Sequence, residues 1–279
     1  MKKILIILAS IIIIALGLYY LGFFDSSSTI CHDGTCPVFL ERLEDKDLQN
    51  SNSDIRPELD PSKEKMDKEI PEEVTENIAP KLDGEEKNVL LEIPFTSQAP
   101  TGNWKDPRQQ DACEEASVLM VMKWIKGEKL NPEEAEVKIL AISEWEDREY
   151  KSFHDTSARD TMERLIKGYF NYTKAEVKEN VTLDMIKAEL FKGNAVIATV
   201  DGQRLKNPYY TAPGPERHML VIIGYDADKK EFITNDPGTR RGEKYRYGEN
   251  HFFSSMRDYP TGDHEPIIEI EKNIIVLEK

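Results

Sequence analysis

Cysteine is scarce in this chain: three occur in 279 residues, and a single one, Cys113, lies in the C-terminal two-thirds. Positive charge is short as well. Lysine and arginine number 37 against 52 aspartates and glutamates, a formal net charge of −15, and no stretch is basic enough to track a phosphate backbone, so nucleic acid is excluded as a partner. A metal centre lacks ligands. Cys31 and Cys36 bracket His32 in "CHDGTC", but two cysteines and one histidine on six residues fall short of the four ligands of a structural zinc site. Between Glu41 and Asn88 there is no aromatic residue and no sustained apolar period, while 16 acidic residues face 8 basic ones. Such a segment cannot offset the entropy of ordering, and residues 25–88 read as a disordered acidic stalk.

Apolar residues are concentrated at the start. Residues 4–24, "ILIILASIIIIALGLYYLGFF", carry no charge, and at about 1.5 Å rise per residue they match a hydrocarbon core about 30 Å thick. Lys2 and Lys3, in the short tip at 1–3, put the N-terminus in the cytoplasm by the positive-inside bias and everything after the span outside. A cleaved signal peptide would have a shorter apolar region and a small-x-small site, where this chain has "YYLGFFDSS". The expectation is a single-pass cell-membrane anchor with the remaining chain extracytoplasmic. An oxidising compartment would allow Cys31 and Cys36 to pair, which leaves Cys113 as an odd, free thiol.

From residue 89 onward the pattern is that of a folded domain, 89–279. "VLLEIPF" reads as a short strand and "SQAPTGNWKDPRQQDA" as loop. Cys113 then opens a helix that is apolar nearly all round, as a buried central helix is, and Gly127 ends it. Asn131 followed by Pro132 is the start of a second helix to about Trp145; a third starts near Ser157 and a fourth near Thr182. Four β-branched runs follow, at 194–201, 218–226, 231–236 and 273–278. Helices first and strands second predict an α+β domain, a helical layer on a mostly antiparallel sheet.

Cysteine packs well as a small hydrophobe, so Cys113 alone says little. Its company says more. His218 opens the strongest strand, and a hairpin centred on 227–229 brings position 218 opposite something between 236 and 240, where Asp236 lies. A histidine held by a carboxylate can take a thiol proton, and both the imidazolium and the helix N-terminus favour the thiolate. The loops "GNWKDPRQQ" and "LKNPYYTAPGPER" flank Cys113 and His218 and are placed to wall a cleft.

The segments "VLLEIPFTSQAP", "DACEEASVLMVMKW", "ERHMLVIIGYD" and "FITNDPG" resemble the papain-like cysteine peptidases related to the bacteriocin-leader (double-glycine) peptidases, in particular their stand-alone branch. The resemblance covers residues 90 to about 279. It implies Cys113 as nucleophile, His218 as general base and then acid, Asp236 as the residue that orients the imidazole, and no metal or organic cofactor. It also implies an oxyanion hole made by the Cys113 backbone N–H and the side chain of Gln98, although Gln109 and Gln110 lie in the loop between. Glu114 stands where a glycine usually follows the nucleophile, and its charge tempers the thiolate. The expected partner is a peptide or protein substrate, with hydrolysis through a thioester as the activity. Transpeptidation, amidase or acyl-transfer chemistry on the same triad, or a non-catalytic anchored peptide-binding module, are the alternatives.

Overall fold

The computed structural model describes residues 87–279. The tip, the expected span at 4–24, the Cys31–Cys36 pair and all but the end of the stalk lie outside these residues. Among the described residues no helix is long and apolar enough to cross a membrane.

The chain enters through β1, Val89–Leu90, and a short helix α1, Pro107–Gln110, before the central helix α2, Cys113–Lys126. Then come α3, Pro132–Tyr150, α4, Ala158–Asp160, continued as a π-helix over Thr161–Tyr169, β2, Ala175–Lys178, and α5, Leu183–Lys192. The remaining elements are β3, Ala195–Val200, a short α6, Gly202–Leu205, β4, His218–Asp226, β5, Glu231–Asn235, β6, Tyr245–Gly248, α7, Glu249–Ser255, and β7, Ile274–Leu277. The helix boundaries follow local chemistry. Gly127 ends α2 in the left-handed region at φ 67°, the Asn131 side chain accepts from the Glu134 N–H ahead of Pro132, and Thr182 accepts from Met185 N–H.

All strand pairs are antiparallel, in the order β2-β7-β3-β4-β5-β6 with β1 added on β4. The domain is therefore α+β, with helices packed on an antiparallel sheet. Helix α2 is buried from Cys113 through Lys123. Val118, Val121 and Met122 pack against Ile197, Met219, Val221 and Ile275 of the sheet, while Ala116 and Leu119 meet Ala135 and Ile139 of α3. The other face of the sheet packs Val196, Leu220, Ile222 and Phe232 against Ile186 and Leu190 of α5 and Phe252 of α7. Each large apolar side chain so buried contributes about 1.5–3 kcal/mol, and this burial holds α2 in place.

Some local expectations give way to tertiary effects. The strand expected over "VLLEIPF" is paired as a ladder only at Val89 and Leu90; past that point the Leu91 N–H donates to Ile223 O, Asn235 Nδ2 donates to Ile93 O, and Pro94 has no N–H to give. The loop before Cys113 contains α1, capped by the Asp106 side chain. Helix α3 runs past Trp145 to Tyr150, and Lys151 ends it in the left-handed region at φ 65°. Strands β2 and β6, which complete both ends of the sheet, are short polar segments whose pairing comes from their neighbours and not from their own pattern.

Candidate active site

Helix α2 and strand β4 are locked together one residue away from the chemistry. Ser117, one turn after Cys113, donates its hydroxyl to Met219 O at 3.2 Å, and Met219 follows His218. This fixes the first turn of α2 against the first residue of β4. The β4–β5 hairpin sets the third position: Val221 faces Asn235 and Ile222 faces Thr234, but Gly224 faces Ile233, so β4 is bulged at Ile223. Continuing that register sets position 218 opposite 238, two residues beyond Asp236. Gly238 accordingly touches the imidazole, and a Cβ there would come within 2.9 Å of His218 Cε1. Asp236 reaches the same ring from the side, with His218 Nε2 2.8 Å from Asp236 Oδ1.

The Asp236 carboxylate is fully buried and surrounded by donors. Gly238 N–H donates to Oδ1 at 3.0 Å, while Tyr210 OH, Tyr247 OH and Asn207 Nδ2 donate to Oδ2 at 2.6, 2.8 and 3.2 Å. Burial alone would raise this carboxyl, but the His218 charge and these hydrogen bonds outweigh it and hold the group below its ordinary value. Burial and the Asp236 charge in turn raise both tyrosines, which stay protonated as donors. Gly242 closes the turn: its carbonyl accepts from Asp236 N–H at 3.0 Å, and a Cβ there would overlap Asp236 O at 1.8 Å.

Cys113 begins α2 as expected, but its thiol is not in the environment its position suggests. Only 6% exposed, it donates to Glu114 Oε2 at 3.0 Å. The second oxygen of Glu114 accepts from Tyr259 OH at 2.7 Å and from Thr156 N–H at 3.2 Å. Burial, then the charge and hydrogen bond of Glu114, push the thiol well above its ordinary value. In the resting site the helix N-terminus and the histidine thus do not offset the burial and the carboxylate that favour the protonated thiol. A half-charge at a helix end does not match a desolvated sulfur with a carboxylate beside it. Burial and the Asp155 charge also raise Glu114, to about 7.

Cys113, His218 and Gln98 line one cavity of about 440 Å³, together with Trp104, Gln110, Tyr210 and Pro215. Both flanking loops therefore contribute to the cleft. Gln98 is tied to the Asp236 turn by its N–H, which donates to Pro237 O at 2.9 Å. Its side-chain nitrogen donates to Gln109 O at 3.1 Å and Gln110 O at 2.5 Å, while Oε1 is buried without a partner. Gln110 gives its own amide to Trp104 O at 2.7 Å. The Cys113 N–H lies in the first turn of α2, where helical N–H groups have no partner within the helix.

Four of these contacts were invisible in the sequence. Asn207, Tyr210 and Tyr247 converge on Asp236 from separations of 29, 26 and 11 residues, and Tyr259 meets Glu114 across 145. The run "LKNPYYTAPGPER" contained the only hint, since it holds both Asn207 and Tyr210.

The model of the Peptidase_C39 like family matches residues 90–259. Among solved structures, a protein of Bacillus anthracis assigned to the C39-like peptidases is similar at 14% identity, over 69% of this chain and 98% of its own, with a TM-score of 0.40. No curated protein matches.

Proposed function

Because the chain belongs to the Peptidase_C39 like family, we propose that it is a cysteine peptidase that cleaves peptide or amide bonds with Cys113, His218 and Asp236, assisted by Gln98. The observation that carries this reading is that Cys113 and His218 open into one cavity while the far nitrogen of His218 is bound to buried Asp236. With Nε2–H given to Asp236, Nδ1 of the imidazole holds the free lone pair and takes the thiol proton. The sulfur then attacks the carbonyl carbon. The tetrahedral oxyanion is met by the Cys113 N–H and by the Gln98 amide, which turns from neutral carbonyls to the stronger, charged acceptor. The imidazolium protonates the leaving amine, and water, activated by the same histidine, hydrolyses the thioester.

The resting thiol, protonated and bonded to Glu114, favours a second reading, a peptide-binding module without turnover. One experiment separates the two. The purified chain is incubated with a mixed peptide pool, new N-termini are identified by mass spectrometry, and acid-quenched protein is searched for an acyl adduct on Cys113. Cleavage with an adduct, both lost in Cys113→Ala, supports the peptidase. Binding without cleavage, or cleavage that survives Cys113→Ala, overturns it.

We place this activity outside the cell, held by residues 4–24 as a single-pass anchor, on the sequence argument of span length and flanking lysines. A reporter active only after export, fused after residue 279, should be active, and the protein should resist carbonate extraction from membranes. An inactive reporter would reverse the topology.

A further inference from the structure

The catalytic cavity does not end at His218. A second hollow of about 560 Å³ shares Trp104, Thr211 and Gly238 with it, and its far wall carries Arg240 and Arg241. Gly238 is the residue on which the His218 ring rests, so this hollow begins on the histidine side of the cleft. Both arginines are exposed and neither has a carboxylate within ion-pair distance among the described residues, whereas Arg108, Arg159, Arg246 and Arg257 are all paired. Among the described residues Arg204 is also exposed and without an ion pair, but it does not line this hollow. The Arg240 and Arg241 side chains are also positioned. The Arg241 guanidinium lies 4.9 Å from the Tyr209 ring centroid, the Arg241 backbone N–H donates to Thr239 Oγ1 at 3.2 Å, and the Arg240 guanidinium sits over Gly102, 3.7 Å from where a Cβ would be. Arg240 therefore reaches from the Asp236 turn to the loop that precedes Cys113.

The direction of the chemistry assigns this hollow to one end of the substrate. His218 must protonate the leaving amine, so the segment C-terminal to the scissile bond departs on the histidine side. We infer that Arg240 and Arg241 form a specificity site for a carboxylate in that leaving segment, an aspartate or glutamate side chain or the substrate's own C-terminus. This deepens the peptidase reading and rests on it for the direction of the cleft. A planar guanidinium fork suits a carboxylate, and two fixed cations near the cleft locally reverse the repulsion that this acidic protein exerts on an acidic peptide.

The test uses the full chain and a matched peptide series in which one position after the cleaved bond is Glu, Gln or Lys, each with a free or an amidated C-terminus. We expect kcat/KM to favour Glu over Gln by about 10- to 100-fold, the effect of charged hydrogen bonds, and to shrink at high salt. If the C-terminus is the ligand, the free-acid and amide pairs will carry the difference instead. In the Arg240→Ala/Arg241→Ala variant the ratio should fall towards one, and in Arg240→Glu/Arg241→Glu it should invert in favour of Lys, which only a folded protein can show. Equal rates for all peptides in the parent, or an acidic preference that survives the double alanine change, overturn the assignment. Binding of the leaving-segment peptides to Cys113→Ala protein, followed by calorimetry, separates the two readings. If nothing is cleaved but Glu peptides bind more tightly and depend on the arginines, the peptidase reading fails and the carboxylate site stands. If binding shows no preference either, both fail.

Discussion

Substitution of Cys113 or His218 by alanine is expected to lower kcat by about 10⁶-fold, while Asp236→Asn lowers it by roughly 10⁴-fold and leaves a folded protein. In the mechanism proposed above, the first two changes remove the atoms that form the thioester and move the proton. The third is milder for a reason visible in the cradle. Asp236 Oδ1 serves His218 and the Gly238 N–H, while Oδ2 serves two tyrosine hydroxyls and Asn207. An asparagine can keep its oxygen towards His218 and turn its NH₂ to the hydroxyls, because Tyr210 and Tyr247 can rotate to accept. The imidazole stays oriented but loses the charge that stabilises imidazolium. Asp236→Ala leaves a buried imidazole and two hydroxyls without an acceptor and Asn207 Nδ2 with Tyr247 OH alone, and should destabilise the fold by about 3–5 kcal/mol as well. Steady-state kinetics with thermal melts on the four variants check this. An Asp236→Ala protein as stable and active as Asp236→Asn would remove Asp236 from the site.

The second large effect is on stability against pH. Glu146 is buried with Oε1 unpartnered, and burial, followed by the Glu114 charge and only partly offset by Arg164, pushes it up to about 8. Glu114 is pushed up to about 7, and burial with the charges of Glu146 and Glu114 pushes Glu115 upward too, despite the Ser143 hydroxyl 2.7 Å away. The folded state therefore holds these protons more tightly than the unfolded chain does. Their stabilisation is complete below the unfolded carboxylate range and is lost as pH rises through about 8. Asp236 and Glu189 are shifted the other way, Glu189 to about 2, and weaken the fold only as pH falls below the ordinary range. The protein should thus be most stable near pH 5 and lose a few kcal/mol by pH 8.5, since each tenfold gain in proton affinity on folding is worth about 1.4 kcal/mol. Denaturant midpoints at pH 5.5 and 8.5 measure the loss. Glu146→Gln should flatten the profile and raise stability at the upper pH; an unchanged slope would mean that the buried acids titrate normally.

How much of this was legible beforehand depends on the range of the interaction. Helix α2 was readable because its buried centre is written as the apolar run Val118–Met122, and its end at Gly127, like the starts of α3 at Asn131 with Pro132 and of α5 at Thr182, because these residues act within one turn. Strand β4 was legible from its first residue to its last, since a strand buried along its length needs a continuous run of such side chains. The π-helical turn after Asp160 and the pairing of β2 and β6 were not, because both are imposed by neighbours distant in the chain.

The same division runs through the site. Cys113 at a helix start, His218 at a strand start and Asp236 past the hairpin followed from the sequence alone, since each depends on the phase of one local element. The tertiary structure alone decided what those groups are. The bulge at Ile223 moved the register by one residue and set Gly238, where the outer pairing would have set Thr239, opposite the histidine, and His218 together with distant tyrosines kept the buried carboxylate an anion. Burial beside Glu114 kept the sulfur a thiol, because desolvation and the charges gathered around a group are properties of the packed chain and of no single segment of it.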